Sequence, residues 1–129
     1  MCLDEKRLLE GISDEDRTSR YRNAHEQGGD SGDTVYLAGI VADNPKGRST
    51  AEQTRSILSQ IDSFLATAGT DKTKLLSANI WISDMTNFAE MNSVWDAWVS
   101  PGNTPARATV EANLASPDYK VEIMVVATR

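Results

Sequence analysis

The chain has 129 residues, 40% of them hydrophobic, and a formal net charge of −6, which predict one soluble domain with its own core. The acidic balance argues against nucleic acid as a main partner, because phosphate binding needs a basic surface. The one cysteine and the one histidine, His25, exclude an internal disulfide and disfavour a cysteine metal site or a catalytic triad. No apolar run of about 18 residues and no secretory signal is present, so we expect a cytoplasmic protein without a membrane span.

The first part of the chain predicts an extension followed by a strand. Residues 1–20 are highly charged, which is typical of an N-terminal extension, either a short helix or a loose arm. We expect a single domain over residues 21–129. After a glycine-rich loop, residues 34–42 read "TVYLAGIVA", which is apolar and β-branched enough to predict a buried strand.

A helix follows, and its start can be read in two frames. Thr50 with Gln53 forms a capping box, and Ser49 with Glu52 is the alternative. Gly69 is placed to end the helix. The apolar positions fall on one helical face: Ile57, Leu58, Ile61, Phe64 and Leu65.

The second part predicts a strand, a helix and two more strands. Residues 75–82 read as a strand, and either Asp84 or Thr86 can cap the second helix. Two short strands are expected near 106–112 and 120–127. The apolar stripe of the second helix has helical spacing: Phe88, Met91, Trp95 and Trp98.

The order of these elements predicts the layers of the fold. Strands that alternate with helices favour a two-layer α/β or α+β domain with both helices on one face of the sheet. Residues 121–127, "VEIMVVA", are apolar on both faces of their strand. A naked second face would be a large exposed apolar patch, which usually marks an interface, so we expect a homo-oligomer in which sheets pack face to face.

Two charges stand in apolar surroundings on the last two strands. Arg107 lies among alanines and Val110, and Glu122 lies between Val121 and Ile123. Buried charges are normally paired, so one interpretation is a salt bridge between the two residues or a position at the rim of the sheet. The other is an anion site, in which the planar guanidinium binds a carboxylate and Glu122 holds a water.

The C-terminal residues "PARATVEANLASPDYKVEIMVVA" resemble the signature of the Rid family, the reactive-intermediate deaminases, also called the YjgF family and often labelled endoribonuclease L-PSP. That signature joins a Pro-Ala-Arg strand to a Val/Ile-Glu-Ile strand. "YLAGIVAD" and "MNSVWDAWV" occur upstream in the family order, and the second is similar to the YoaB-like branch. The resemblance covers most of the chain.

The resemblance implies a chorismate-mutase-like α+β fold, with a mixed β-sheet, two helices on one face, and a homotrimer with clefts between subunits. It implies hydrolysis of 2-imino acids, such as 2-iminobutanoate and 2-iminopropanoate, to 2-keto acids and ammonia without a cofactor or metal. The partner would be a small 2-imino or 2-keto acid, with no membrane involved, and the net charge of −6 disfavours nucleic acid.

The resemblance also assigns roles to residues. Arg107 would bind the substrate carboxylate, and Glu122 would position the attacking water or meet the imine nitrogen. Thr109 would line the pocket and Tyr21 would close the cleft. The backbone at the glycine of the second strand, with its preceding residue, would complete the binding site; here these residues are Ala38 and Gly39.

Three positions depart from the family pattern and leave alternatives open. Thr109 stands where many deaminases have cysteine, Ala38 stands where a serine is common, and Asn113 stands where a small or basic residue is usual. A non-catalytic protein that binds a small carboxylate or docks a partner is therefore a second hypothesis. A ribonuclease is the third, and the charge of −6 and the single histidine weigh against it.

Overall fold

The computed structural model describes residues 33–129, which form one five-stranded sheet and two α-helices. The predicted extension over 1–20, the domain boundary at 21 and Tyr21 lie outside the described residues. Two short 3₁₀ turns, Lys72–Lys74 and Met85–Asn87, also lie within residues 33–129. The elements are β1 Thr34–Tyr36, β2 Ile40–Val41, α1 Thr50–Thr67, β3 Leu75–Ile82, α2 Phe88–Trp98, β4 Ala106–Glu111 and β5 Val121–Thr128.

The sheet is mixed, as the family resemblance implied. Its order is β1-β5-β3-β4, and β2 also pairs with β5. Only the β3–β4 pair is parallel among the strand pairs of residues 33–129. The α2 helix makes the crossover that parallel strands require. This topology leaves β4 at one edge of the sheet.

The strand expected over 34–42 is interrupted, and this prediction was wrong in detail. Both β1 and β2 pair with β5, but four residue steps separate Tyr36 from Ile40 while three separate their partners Val126 and Ile123. The extra residue makes a bulge, which bends a strand and redirects its side chains. Hydrophobicity predicts a strand here but carries no signal for where its ladder breaks.

The first helix uses the second of the two predicted capping frames. Ser49 is the N-cap, and its hydroxyl oxygen accepts the Glu52 backbone N–H at 3.1 Å. Thr50 instead lies inside the helix, where its carbonyl accepts the Thr54 hydroxyl at 2.7 Å. The predicted ending is confirmed, since Gly69 has a φ of 80°, a backbone conformation that favours glycine after a helix.

The second helix begins later than its first capping signal. Asp84 caps the 3₁₀ turn by accepting the Thr86 N–H at 2.9 Å, and α2 starts at Phe88 with Asn87 at its N-cap position. The Thr86 hydroxyl and N–H lower the pKa of the Asp84 carboxyl, because both bonds favour the charged form. The predicted apolar stripe is confirmed by the burial of Met91 and Trp95.

The core lies between the two helices and one face of the sheet. That face buries alternate residues of β3 and β5, so both helices cover the same side, as predicted. On the opposite face, apolar side chains remain exposed, including Tyr36 at 46% and Val110 at 49%. The central members of the core are Ile57, Ile61, Leu65, Ile80, Ile82, Met91 and Ile123.

Neither of the two described helices is long and apolar enough to cross a membrane.

Candidate functional site

Arg107 lies on the edge strand β4 and points toward the helices. It pairs with Ala78 of β3, and the Ala78 side chain faces the core. The small side chain of Ala78 leaves room for the long arginine at the rim. In this position Arg107 is half-buried.

Three residues of α2 hold the Arg107 guanidinium. Nη1 donates a hydrogen bond to Asn92 Oδ1 at 2.7 Å. The guanidinium carbon lies 5.5 Å from the centroid of the Trp95 ring and 5.8 Å from that of Phe88, within the range of cation–π attraction. We call Arg107, Asn92, Phe88 and Trp95 the Arg107 cluster.

The Arg107 cluster follows from helical spacing. Phe88, Asn92 and Trp95 are four and three residues apart, so they share one face of α2. The sequence pattern predicts the two aromatic residues as core but assigns no role to Asn92. The sequence contains one signal that could have identified Asn92. A single amide side chain falls on an otherwise apolar face of this helix, and the strand that follows carries an arginine without an assigned partner.

Glu122 lies on β5 and points to the other face of the sheet. It pairs with Trp81 of β3 and Val41 of β2 and is only 4% exposed. A Cβ atom added at Gly39 would overlap the Glu122 carboxylate, with the carboxyl carbon 3.2 Å away. Only glycine leaves this space, so the bulge before β2 and the Glu122 carboxylate form one unit, the Glu122–Gly39 pair.

One chain does not bring Arg107 and Glu122 together. Arg107 pairs with Ala78 and lies on the face of the sheet that the helices cover, whereas Glu122 pairs with Trp81 and lies on the opposite face. Successive strand residues point to opposite faces, so the interpretation of a salt bridge between the two is wrong within a single chain. The alternative position at the rim describes Arg107, which is on the edge strand, but not Glu122 on the interior strand β5.

The remaining predicted site residues divide between these two places. Thr109 lies on the same face of β4 as Arg107, beside Ile80. Its hydroxyl oxygen is buried and has no hydrogen-bond partner in the part of the chain that the structure describes. Ala38 is exposed at the bulge next to Gly39. Tyr21 is outside the described range.

A separate groove of about 470 Å³ lies on the outer surface between α1 and α2. None of the predicted site residues lines it. Its walls include Arg55, Asp62, Lys72, Val94 and Trp98. Across residues 33–129, no group of three or more histidine, cysteine, aspartate or glutamate side chains is arranged to hold a metal ion.

The chain is similar to proteins of known sequence and structure. The sequence model of the family described as Endoribonuclease L-PSP matches residues 17–129. The RutC family protein YoaB of Escherichia coli K12 is 44% identical over 94 residues, which cover 73% of this chain and 81% of that protein. A 2-iminobutanoate/2-iminopropanoate deaminase of Salmonella typhimurium is 29% identical over 109 residues, covering 80% and 85%. The crystal structure of a YjgF-family member from Neisseria meningitidis matches with a TM-score of 0.72 at 50% identity, over 75% of this chain and 80% of that one.

Proposed function

The chain belongs to the Rid or YjgF family, described as Endoribonuclease L-PSP, and is YoaB-like, and we propose that it hydrolyses 2-imino acids to 2-keto acids and ammonia. The observation that carries the proposal is the Arg107 guanidinium, which α2 holds by one hydrogen bond and two aromatic rings. A cation held in advance binds a carboxylate with little further loss of entropy. The similarity to a 2-iminobutanoate/2-iminopropanoate deaminase supports this substrate class.

We propose that the complete site forms between two copies of the chain. Arg107 and Glu122 point to opposite faces of one sheet, so a small substrate can meet both only when a second copy supplies one of them. The exposed apolar residues on the uncovered face, such as Tyr36 and Val110, favour contact between copies. We propose a homotrimer, in which each cleft joins the Arg107 cluster of one chain to the Glu122–Gly39 pair of the next.

The proposed reaction needs orientation and a proton acceptor. Arg107 binds the substrate carboxylate, which places C2 of the protonated imine beside a water held by Glu122. The water oxygen bonds to C2, the C=N electron pair moves to nitrogen, and the carboxylate takes a proton from the water. Glu122 returns this proton to the amino nitrogen. The C–N bond then breaks, ammonia leaves, and loss of the hydroxyl proton gives the keto acid and ammonium.

The test uses an imine that is generated in the cuvette. A pyridoxal-phosphate dehydratase converts threonine to 2-iminobutanoate, and semicarbazide traps the imine that remains. We expect the protein to accelerate the decay of the imine, so that less semicarbazone forms. No acceleration by wild-type protein, or full activity in Arg107→Ala, would contradict the proposal.

A non-catalytic carboxylate-binding protein is the second candidate. The observation that favours it is that the Arg107 cluster is complete in one chain without Glu122. Binding of 2-oxobutanoate by calorimetry without any turnover of the imine would support this candidate over the deaminase. Ribonuclease activity is not favoured at a net charge of −6.

We propose the cytoplasm as the location, because a single cysteine that can form no internal disulfide is compatible with a reducing compartment.

A further inference from the structure

The Arg107 cluster is connected to a carboxylate one turn further along α2. Asn92 Nδ2 donates a hydrogen bond to Asp96 Oδ2 at 3.2 Å, while Asn92 Oδ1 accepts from Arg107 Nη1 at 2.7 Å. Asp96 is exposed and does not contact the guanidinium through any described hydrogen bond. The three side chains therefore form a line from solvent to the guanidinium, with the amide in the middle.

We propose that Asp96 is a positioning residue for Arg107, acting through the Asn92 amide. An asparagine amide has a donor end and an acceptor end of nearly equal shape. An ionised carboxylate only accepts hydrogen bonds, so Asp96 fixes the NH₂ end toward itself and the oxygen toward Arg107. The proposal rests on the proposed function in one respect, that Arg107 binds a substrate carboxylate.

The opposite orientation of the amide would abolish the contact. The Asn92 NH₂ group would then face the guanidinium, which also carries only donors. The Phe88 and Trp95 rings attract the guanidinium without hydrogen bonds, and attraction of this kind does not by itself fix the directions of its N–H donors. The Asn92 oxygen restricts that rotation, so Asp96 sets the direction in which the remaining donors point.

This direction bears on substrate recognition. The contact with Asn92 uses Nη1 and leaves the Nε–H and Nη2 donors on the other side of the guanidinium. These two donors match the two oxygens of a carboxylate in parallel bonds. A rotated guanidinium offers one bond instead of two. The loss falls on carboxylate binding, and we expect it in KM for the imine and in Kd for the 2-keto acid.

Three substitutions of Asp96 separate geometry from charge. Asp96→Asn keeps an acceptor for the Asn92 NH₂ group, and we expect Kd for 2-oxobutanoate within about 1.5-fold of wild type. Asp96→Ala removes the acceptor, and we expect a rise of about threefold, at the scale of one helical side-chain pair and its effect on the amide. Asp96→Lys offers only donors and attracts the amide oxygen, which turns the Asn92 NH₂ group toward Arg107, and we expect a rise of about tenfold or more although the added cation alone would favour an anion. Ser93→Ala, an exposed change on the same helix, is the matched control.

The decisive experiment repeats the Asp96 substitutions in an Asn92→Ala background. If Asp96 acts through the amide, Asp96→Ala has no further effect there, which a double-mutant cycle detects. An equal effect of Asp96→Ala with and without Asn92, or equal losses in Asp96→Asn and Asp96→Ala, would overturn the proposal.

A second readout keeps this test separate from the proposed function. The Arg107 Nε–H and Asn92 NH₂ signals in ¹⁵N spectra report the geometry without any substrate. We expect both to shift in Asp96→Ala, while Asp96→Asn and Ser93→Ala leave the Arg107 signal in place. If wild-type protein neither binds keto acid nor turns over imine, the proposed function fails, and these spectra alone decide on positioning. An unchanged Arg107 signal in Asp96→Ala and Asp96→Lys would overturn it.

Discussion

The Arg107 cluster and the Glu122–Gly39 pair are built in different ways. Side chains of one helix hold Arg107, through a hydrogen bond that Arg107 donates to Asn92 and through two aromatic rings. Glu122 is instead placed by backbone geometry, because a bulge brings Gly39 against its carboxylate. The first arrangement tolerates changes that keep the side-chain contacts, and the second tolerates no added atom. One strand residue is thus positioned from a helix and another from a neighbouring strand, on opposite faces of one sheet.

The largest expected effect comes from removing the cation itself. Arg107→Ala should lower kcat/KM for 2-iminobutanoate by about 10²- to 10³-fold, because two charge-assisted bonds to the carboxylate are lost. Arg107→Lys should recover part of this, since it restores the charge but not the planar pair of donors. The semicarbazide competition assay measures both.

The control for Arg107 is Arg55→Ala, which removes an exposed arginine of α1 that lies outside the proposed site. It should keep wild-type activity. Equal loss in the two alanine variants would show that net charge, and not the position of Arg107, matters.

The second-largest expected effect comes from adding a side chain at Gly39. Gly39→Ala should lower kcat by roughly 10- to 100-fold with a smaller change in KM, because the added Cβ displaces the Glu122 carboxylate and misplaced catalytic groups are costly. Steady-state kinetics separates the two constants. Wild-type kcat in this variant would contradict the role of the Glu122–Gly39 pair.

Gly47→Ala provides the matched comparison. No atom lies within 4 Å of a Cβ added there, but φ is 78°. We therefore expect a cost of about 1 kcal/mol in the free energy of unfolding from backbone strain and no change in kcat. The two glycines would thus separate a functional close approach from a conformational requirement.

The smallest effect concerns Thr109. Its buried hydroxyl has no partner among residues 33–129, and replacing such a group by one of the same shape is neutral or stabilising. Thr109→Val should raise the free energy of unfolding by up to about 1 kcal/mol, measured in urea, and change kcat/KM less than about threefold. A loss of activity as large as that of Arg107→Ala would mean instead that the hydroxyl binds the substrate.

The helices and most strands could be predicted because their signals are local. The stripe from Phe88 to Trp98 and the strand over 75–82 depend on spacing within one segment. The break between Tyr36 and Ile40 could not be predicted, since a bulge depends on the register against β5, more than 80 positions away. The capping frame at Ser49 was ambiguous because both candidate pairs satisfy the same spacing rule.

For the candidate site too, only the local features could be predicted from the sequence. Arg107 and Thr109 share one face of β4 because they are two residues apart in a strand, which depends on local spacing alone. The faces of Arg107 and Glu122 relative to each other depend on how β4 and β5 pair with β3, and this long-range pairing has no local signal. Asn92 was missed for a related reason, since its role is apparent only once β4 lies under α2.

The central claim is that Arg107 of one chain and Glu122 of another form one site. Arg107→Ala and Glu122→Gln chains, each expected to lose nearly all activity alone, are co-expressed with different tags, and complexes with both tags are purified. In a mixed trimer one of the three clefts regains both residues, so we predict about a third of wild-type kcat with an unchanged KM. Activity no higher than that of either parent variant would contradict the claim.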